Sequence, residues 1–476
     1  MRGDGRIGGS RYARPVRLMS AWRGAQDRSA RPDGPPARWL QSIGVVVPSA
    51  IFIAGSNTFS TGVKLALVLV ASAWALDLVR REARDPGSPV PIACCTAALL
   101  VIAVIFPPKF SQDLWSYAIA GRMVAFHHAS PYLHPAHAFR HDPLYGLVGT
   151  EWRTGTTPYG PLFTLYSTAV ALAGGSHPLL FRLAYQGGAA LAIAFALAVL
   201  WRKTGSTSAL ALLGLHPLIA CSAVNGGHND AFVGLGVLIA VICARRERYA
   251  IAGLWIAGAL LVKATAGLAL LPLVGWAWTR GGRRAVVELL AAPALVAAPV
   301  MLLTPGMMHS LHTAKTNVIT RTSIWNYPLQ LVPQWFPPGQ HTHVAHLVSL
   351  ALVVVIALVV LFTVVARRDR DPAPGVVAAT AAWLIFSAYV LPWYTVWALP
   401  VAALNVRNRL TRLVTIQGVA ITAAFVVPRT TLGGQNLARD VVQLALPAAL
   451  AAMLIWTMVP VLRRAWTDRT SPISTV

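Results

Sequence analysis

Residues 347–366, Leu347-Val-Ser-Leu-Ala-Leu-Val-Val-Val-Ile-Ala-Leu-Val-Val-Leu-Phe-Thr-Val-Val-Ala366, carry no charge and stop at Arg367-Arg368. A helix rising about 1.5 Å per residue crosses a hydrocarbon core of roughly 30 Å over such a run. Residues 441–462 read the same way. The whole chain of 476 residues is 56% hydrophobic and 12% charged, more apolar surface than a soluble core of that length uses. An all-α, polytopic transmembrane protein is the expected fold class.

Outward from 347–366, further apolar segments fall at 41–56, 62–80, 89–107, 178–201, 207–223, 229–244, 249–262, 264–279, 285–304, 375–391, 393–405 and 412–428. Together these predict about 12 to 14 membrane spans. Segments 249–262 and 393–405 are short enough to be half-helices. The formal net charge of +24 would suggest nucleic acid in a soluble protein. Here the cations instead cluster between spans, at Arg80-Arg81, Arg202-Lys203, Arg245-Arg246, Arg283-Arg284, Arg367-Arg368, Arg407 with Arg409, and Arg463-Arg464. Such clusters mark cytoplasmic ends, so no nucleic-acid partner is expected, and alternation works with both termini inside a plasma membrane. Residues 1–40 hold nine Arg against Asp4, Asp27 and Asp33. They read as a disordered, basic cytoplasmic tail able to touch anionic membrane lipid, ahead of a transmembrane domain over 41–476. Cys94, Cys95, Cys221 and Cys243 all lie in apolar segments and show no disulfide or zinc spacing.

Stretch 161–175 would break the charge alternation if it crossed, so it is expected to be interfacial or re-entrant. Two outer loops then cover 108–177 and 305–345. The first starts a helical pattern at Asp113, where an acid suits the helix dipole, and Asp113 and Tyr117 share a face. A capping role would also place an Asp there. Beyond residue 107, however, only Asp113, Asp142, Glu151, Asp230 and Asp440 are acids on or near the outer side, so a base for hydroxyl activation comes from very few groups.

Asn225-Gly-Gly-His-Asn-Asp230 joins two spans on that side, with glycines permitting a tight turn and His228, Asn229 and Asp230 following at membrane depth. Their alternative role is a capped helix start. Lys263, at a bend between short apolar helices, needs an anion, naturally a lipid phosphate, unless it snorkels to the interface. Arg182 at a span start invites the same two readings, and Arg321 is a third cation on that side. Tyr159, Trp393 and Tyr394 stand at outer helix ends, where an aromatic belt would equally put them. His127, His128, His134, His137, His141 and His177 crowd the first outer loop; solvated side chains are the default there, since Pro135 interrupts the helical spacing a metal would need.

In these residues the chain resembles the GT-C superfamily of integral membrane glycosyltransferases, and within it the bacterial polyprenol-phosphate-mannose-dependent α-(1,6)-mannosyltransferases. The resemblance rests on an ordered set: Asp113-Leu-Trp-Ser-Tyr117, Ser130-Pro-Tyr132, Pro158-Tyr-Gly-Pro-Leu162 followed by Arg182, His216-Pro-Leu218 with Gly226-Gly-His-Asn-Asp230, Val262-Lys-Ala264 leading to Leu270-Leu-Pro272, and Pro392-Trp-Tyr394. It implies a GT-C-like fold with interfacial helices in the first outer loop and Asp113 as the catalytic base. Tyr117, Tyr159, Arg182, His228, Asn229, Asp230, Lys263, Arg321, Trp393 and Tyr394 would bind substrate. It implies a polyprenyl-phosphate sugar donor, mannose before another polyprenyl-linked sugar, and a glycolipid or glycan acceptor on the outer face. Some GT-C enzymes pair two acids; here Gln112 precedes Asp113, and a divalent metal cofactor stays an open alternative. So does another class, a polytopic transporter or lipid flippase, which should show pseudo-symmetric halves, or a non-catalytic scaffold.

Overall fold

The computed structural model describes residues 35–55, 58–313, 318–320, 322–326, 335, 340–367, 371–426, 451–452, 455–456, 459–460 and 463. Most of the basic tail, Arg321, Asp440 and most of the span expected at 441–462 lie outside the described residues. Among those described, regular secondary structure is helical throughout, with no strand.

Among the described residues six helices are long and apolar enough to cross a membrane: Pro36–Gly55, Thr61–Arg84, Pro178–Thr204, Ala264–Leu303, Thr342–Val365 and Arg409–Val426. Val90–Ile105, Pro161–Gly174, Tyr249–Val262 and Ala373–Phe386 are shorter apolar helices. The long Ala264–Leu303 stretch turns sharply at Gly282, whose φ of 60° no helix contains. That break, beside Arg283-Arg284, divides it into the two apolar pieces expected at 264–279 and 285–304. The expected half-helix over 249–262 is a 14-residue helix, while 393–405 falls in a chain of short turns from Pro392–Trp397 to Ala403–Asn405.

One junction fixes where the chain leaves the helix Val90–Ile105. The helix Val90–Ile105 ends with carbonyls that have no partner within the helix. Gln186, fully buried, donates to the carbonyls of Ala103, Phe106 and Asn225 at 2.8–3.0 Å. Asn225 donates to those of Ala103, Phe106 and Pro107 and accepts from the Lys109 amide. Arg182 donates to Ile105 O at 2.6 Å, a cation at the negative end of a helix dipole. The entry to 106–112 is thereby tied to the 225–230 turn.

From that junction the chain enters the helix Asp113–His127, whose first eleven residues are all buried. It packs along Pro161–Gly174, the stretch expected to lie at the interface. Its far end is clamped: Arg122 Nε donates to both Asp142 oxygens at 2.8–2.9 Å, and His127 Nε2 lies 2.8 Å from Asp142 Oδ2. His127, read from sequence as a solvated histidine, therefore has a buried carboxylate for a partner. Residues 320–325 are stitched to the segment that leads into the Pro392–Trp397 turn: Thr320 N donates to Ala388 O at 3.0 Å, Ser323 Oγ to Ser387 O at 2.8 Å and Trp325 Nε1 to Phe386 O at 2.7 Å.

Candidate active site

Asp113 occupies the first turn of its helix, while the cap position is Gln112, whose side chain makes no capping bond. Capping therefore does not account for the acid. Its Oδ1 accepts from Trp152 Nε1 at 2.8 Å and its Oδ2 lies 3.7 Å from His228 Nδ1, too long for a direct hydrogen bond. One helical turn on, the Tyr117 hydroxyl sits 3.4 Å from the same imidazole nitrogen. Burial first, then the charges of Asp113 and Asp230, push the Tyr117 phenol well above its ordinary pKa. Tyr117 thus keeps its proton and offers a donor, not a base.

His228 reaches Asp113 because the 225–230 turn reverses at Gly227, where φ is +64° and a side chain would be strained. Its ring stacks on Trp393, with centroids 3.7 Å apart and planes 12° from parallel. Burial, then the nearby Lys263 charge, lower the His228 pKa well below its ordinary value. A neutral imidazole has one donor and one acceptor nitrogen. Among the described residues its Nε2, both amide atoms of Asn229 and Asp230 Oδ2 are buried without hydrogen-bond partners. Four such atoms on three successive residues are unusual, because each costs free energy unless something bonds it.

Asp230 opens the next helix, and again the cap residue, Asn229, makes no side-chain cap bond. The Asp230 carboxylate instead accepts from Lys263 Nζ at 2.8 Å and Trp397 Nε1 at 2.6 Å, both on Oδ1. Lys263 is 9% exposed, which excludes snorkelling. The intramolecular anion for its ammonium is Asp230. Aromatic rings box the same ammonium, at 4.1 Å from the Tyr394 centroid, 5.1 Å from Trp397 and 5.7 Å from Tyr159, a cation–π arrangement. Tyr159 gets there through a close backbone approach. Gly160 N donates to Val262 O at 2.9 Å, and a Cβ at Gly160 would meet Leu261 O at 2.1 Å.

Nine of the sequence-derived residues therefore form one constellation: Asp113, Tyr117, Tyr159, His228, Asn229, Asp230, Lys263, Trp393 and Tyr394. Arg182 does not join it; its guanidinium is taken by Ile105 O and by Gln186 Oε1 at 3.2 Å. Three residues that the sequence reading did not single out complete the picture: Trp152 on Asp113, Trp397 on Asp230, and Gln186 behind the turn. Only Gln186 left a signal, an amide inside an apolar span, where polar groups are costly. Around Asp113 the metal-binding donor types are one carboxylate and one imidazole, and no group of three His, Cys, Asp or Glu converges among the described residues.

Comparison with known proteins agrees in extent as well as kind. The family described as alpha-(1->6)-mannopyranosyltransferase, N-terminal domain, matches residues 33–280, and the MptB C-terminal domain matches residues 335–461. An alpha-(1->6)-mannopyranosyltransferase A of Mycobacterium tuberculosis is 28% identical over 374 residues, covering 72% of this chain and 70% of that protein. Its counterpart from Corynebacterium glutamicum is 26% identical over 336 residues, covering 63% and 68%. The first family match spans more than half of the sequence and contains every residue of the constellation except Trp393, Tyr394 and Trp397, and on that basis the chain belongs to the alpha-(1->6)-mannopyranosyltransferase family of GT-C-like membrane glycosyltransferases.

Proposed function

We propose that the protein transfers mannose from a polyprenyl-phosphate donor to a glycolipid or glycan acceptor, on the outer face of the membrane and with inversion. The observation that carries this reading is the pair of buried carboxylates that meet at the 225–230 turn from two different helices: Asp113, which accepts from the Trp152 indole and lies beside His228, and Asp230, bonded to an ammonium. The curated relatives support the sugar.

In this mechanism Asp113 takes the proton from an acceptor hydroxyl. The hydroxyl oxygen bonds to the anomeric carbon as the bond from that carbon to phosphate breaks, and the lipid phosphate departs with the electron pair. A positioned carboxylate base contributes typically about 10²- to 10⁴-fold. Lys263 offsets the charge growing on the leaving phosphate, a preorganised electrostatic effect that often exceeds the base's share. Asp230 holds the ammonium in place until the phosphate arrives. The unpartnered atoms of His228, Asn229 and Asp230 bond the hydroxyls of the sugar, and Trp393 supports the His228 ring. With Arg182 engaged elsewhere, Lys263 and Arg321 are the cations left to hold the phosphate. The outer-face placement rests on the charge alternation, with loops 108–177 and 305–345 outside and both termini inside.

The test is transfer in membranes containing the protein, given labelled polyprenyl-phosphate mannose and mannoside acceptors, with and without a chelator. Labelled product with an inverted anomeric configuration is expected. Uptake or flipping of the lipid without glycosidic product would instead identify a transporter or flippase.

A further inference from the structure

The stretch Phe106-Pro-Pro-Lys109 ends one helix and starts the arm that carries Asp113. Pro107 and Pro108 have no amide hydrogen, so the carbonyls of Ala103 and Val104 lose the donors four residues on that would continue the helix Val90–Ile105. Two buried side-chain amides take over at this end. Gln186, from the helix Pro178–Thr204, and Asn225, from the turn, each donate to both Ala103 O and Phe106 O at 2.9–3.1 Å. Gln186 also donates to the backbone carbonyl of Asn225 at 2.8 Å, and Asn225 Oδ1 accepts from Lys109 N at 3.1 Å. Three segments thus share one closed set of bonds. They also abut directly: a Cβ built on Gly227 would come to 3.0 Å from Leu114 Cδ1 and Tyr185 Cβ and 3.3 Å from Gln186 N. Lys109 lies one short step before Asp113, as Asn225 does before His228.

We propose that Gln186 is a positioning residue: with Asn225 as its partner, it fixes the separation between the arm that carries Asp113 and the turn that carries His228, Asn229 and Asp230. The proposal rests on the glycosyl-transfer reading above, in which one arm activates the acceptor hydroxyl and the other holds the donor. Among the described residues the hydrogen bonds of the Gln186 amide go to backbone carbonyls and to Arg182, none to the constellation itself. Its influence therefore runs through the backbone. An apolar side chain of the same volume would fill this place in the span without the cost of burying an amide, so what the amide adds is where it bonds. A shift of about 1 Å between reacting groups can cost on the order of 100-fold in rate. The donor side is tied down independently, since Asp230 is bonded to Lys263 and Trp397. A loosened junction therefore misplaces the base and leaves the cation where it is.

Gln186→Met keeps the volume of the side chain and deletes its hydrogen bonds. With labelled polyprenyl-phosphate mannose and octyl α-mannoside, kcat per folded molecule should fall by roughly 10- to 100-fold while the donor KM stays within about threefold. Hydrogen exchange of the folded variant in detergent should quicken in peptides covering 107–117 and 225–230. Thr207→Val controls for lost stability alone. It removes the hydroxyl that donates to buried Glu82 at 2.5 Å, between the helices Thr61–Arg84 and Thr207–Gly214, and should lower the melting temperature yet keep the wild-type kcat. A Gln186→Met protein that melts earlier or exchanges faster but turns over normally would make Gln186 a structural amide only and overturn the proposal. So would a raised donor KM without a loss of kcat, or an equal loss of kcat in Thr207→Val. Should Gln186→Met fail to insert, Asn225→Ala deletes the partner's bonds to residues 103–109 and is judged by the same split between kcat and KM. If the wild type transfers nothing at all, the glycosyl-transfer reading fails. Unchanged exchange at 107–117 in Gln186→Met would refute the tie between the two arms separately.

Discussion

Asp113 and Asp230 are both buried, both start a helix, and both accept a hydrogen bond from a tryptophan indole. Their charged surroundings differ at Lys263 and His228. Asp230 holds the ammonium of Lys263 at 2.8 Å, whereas Asp113 lies 3.7 Å from an imidazole that burial keeps neutral. Proton acceptance at Asp230 would strand a buried ammonium. On the proposed reading these two carboxylates divide chemistry and charge placement between them, and each prediction below attacks that division.

The largest effect is expected at the chemical end. Asp113→Asn keeps the indole bond and the helix start but removes the base, so transfer should fall by about 10²- to 10⁴-fold with insertion and donor binding retained. Near-wild-type turnover in membranes would end the distinction between the two carboxylates. Asp230→Asn should act the other way around. It leaves Lys263 buried beside aromatic rings without its anion, which costs about 3–5 kcal/mol in comparable buried pairs. Thermal stability in detergent should drop sharply. The double variant Asp230→Asn with Lys263→Met should recover most of that stability while the donor KM stays raised. If the double variant regains donor affinity too, Lys263 is a structural residue only.

How much of this division could be read from sequence follows from residue chemistry. Charged groups are rare in this chain, so Asp113, Asp230 and Lys263 stood out against apolar surroundings, and the glycines of 225–230 announced a turn. What partnered with what was not legible. An indole at a membrane interface is ordinary, so neither Trp152 nor Trp397 signalled that its N–H bonds a carboxylate. Arg182 shows the converse. A cation at a span start suits a phosphate, but it equally suits the carbonyls ending a neighbouring helix, and only packing told that the neighbour was Val90–Ile105. The fold class followed from hydropathy, and even the break at Gly282 was foreshadowed by paired arginines between two apolar runs. The twist of short turns over 392–405 was not, because composition there is apolar whether the chain crosses or bends.

A smaller effect separates the two indoles. Trp152→Phe deletes one hydrogen bond to Asp113 while keeping most of the packing, and bonds to charged groups are worth about 1.5–3 kcal/mol. A loss of aim at the base should appear as a kcat roughly 10- to 100-fold lower, with the donor KM unchanged. Trp397→Phe should instead raise the donor KM, because it loosens Asp230 and with it Lys263. Interchanged phenotypes would mean that the two carboxylates have been assigned the wrong roles.

The smallest effect tests the imidazole between them. His228 is buried neutral, its folded pKa held below the value of about 6.5 expected for an unfolded chain. As pH falls through about 6.5, the unfolded state binds a proton that the folded state refuses, so stability is present above that pH and lost toward acid. The loss from this one group is at most about 2 kcal/mol at pH 5. Melting of the wild type in detergent should therefore decline from pH 8 to pH 5 more steeply than melting of His228→Gln, which cannot take up the proton. Equal slopes would mean that His228 accepts a charge in the folded protein. In that case the imidazole beside Asp113 would be a cation, and a neutral His228 could not be what sets Asp113 apart from Asp230.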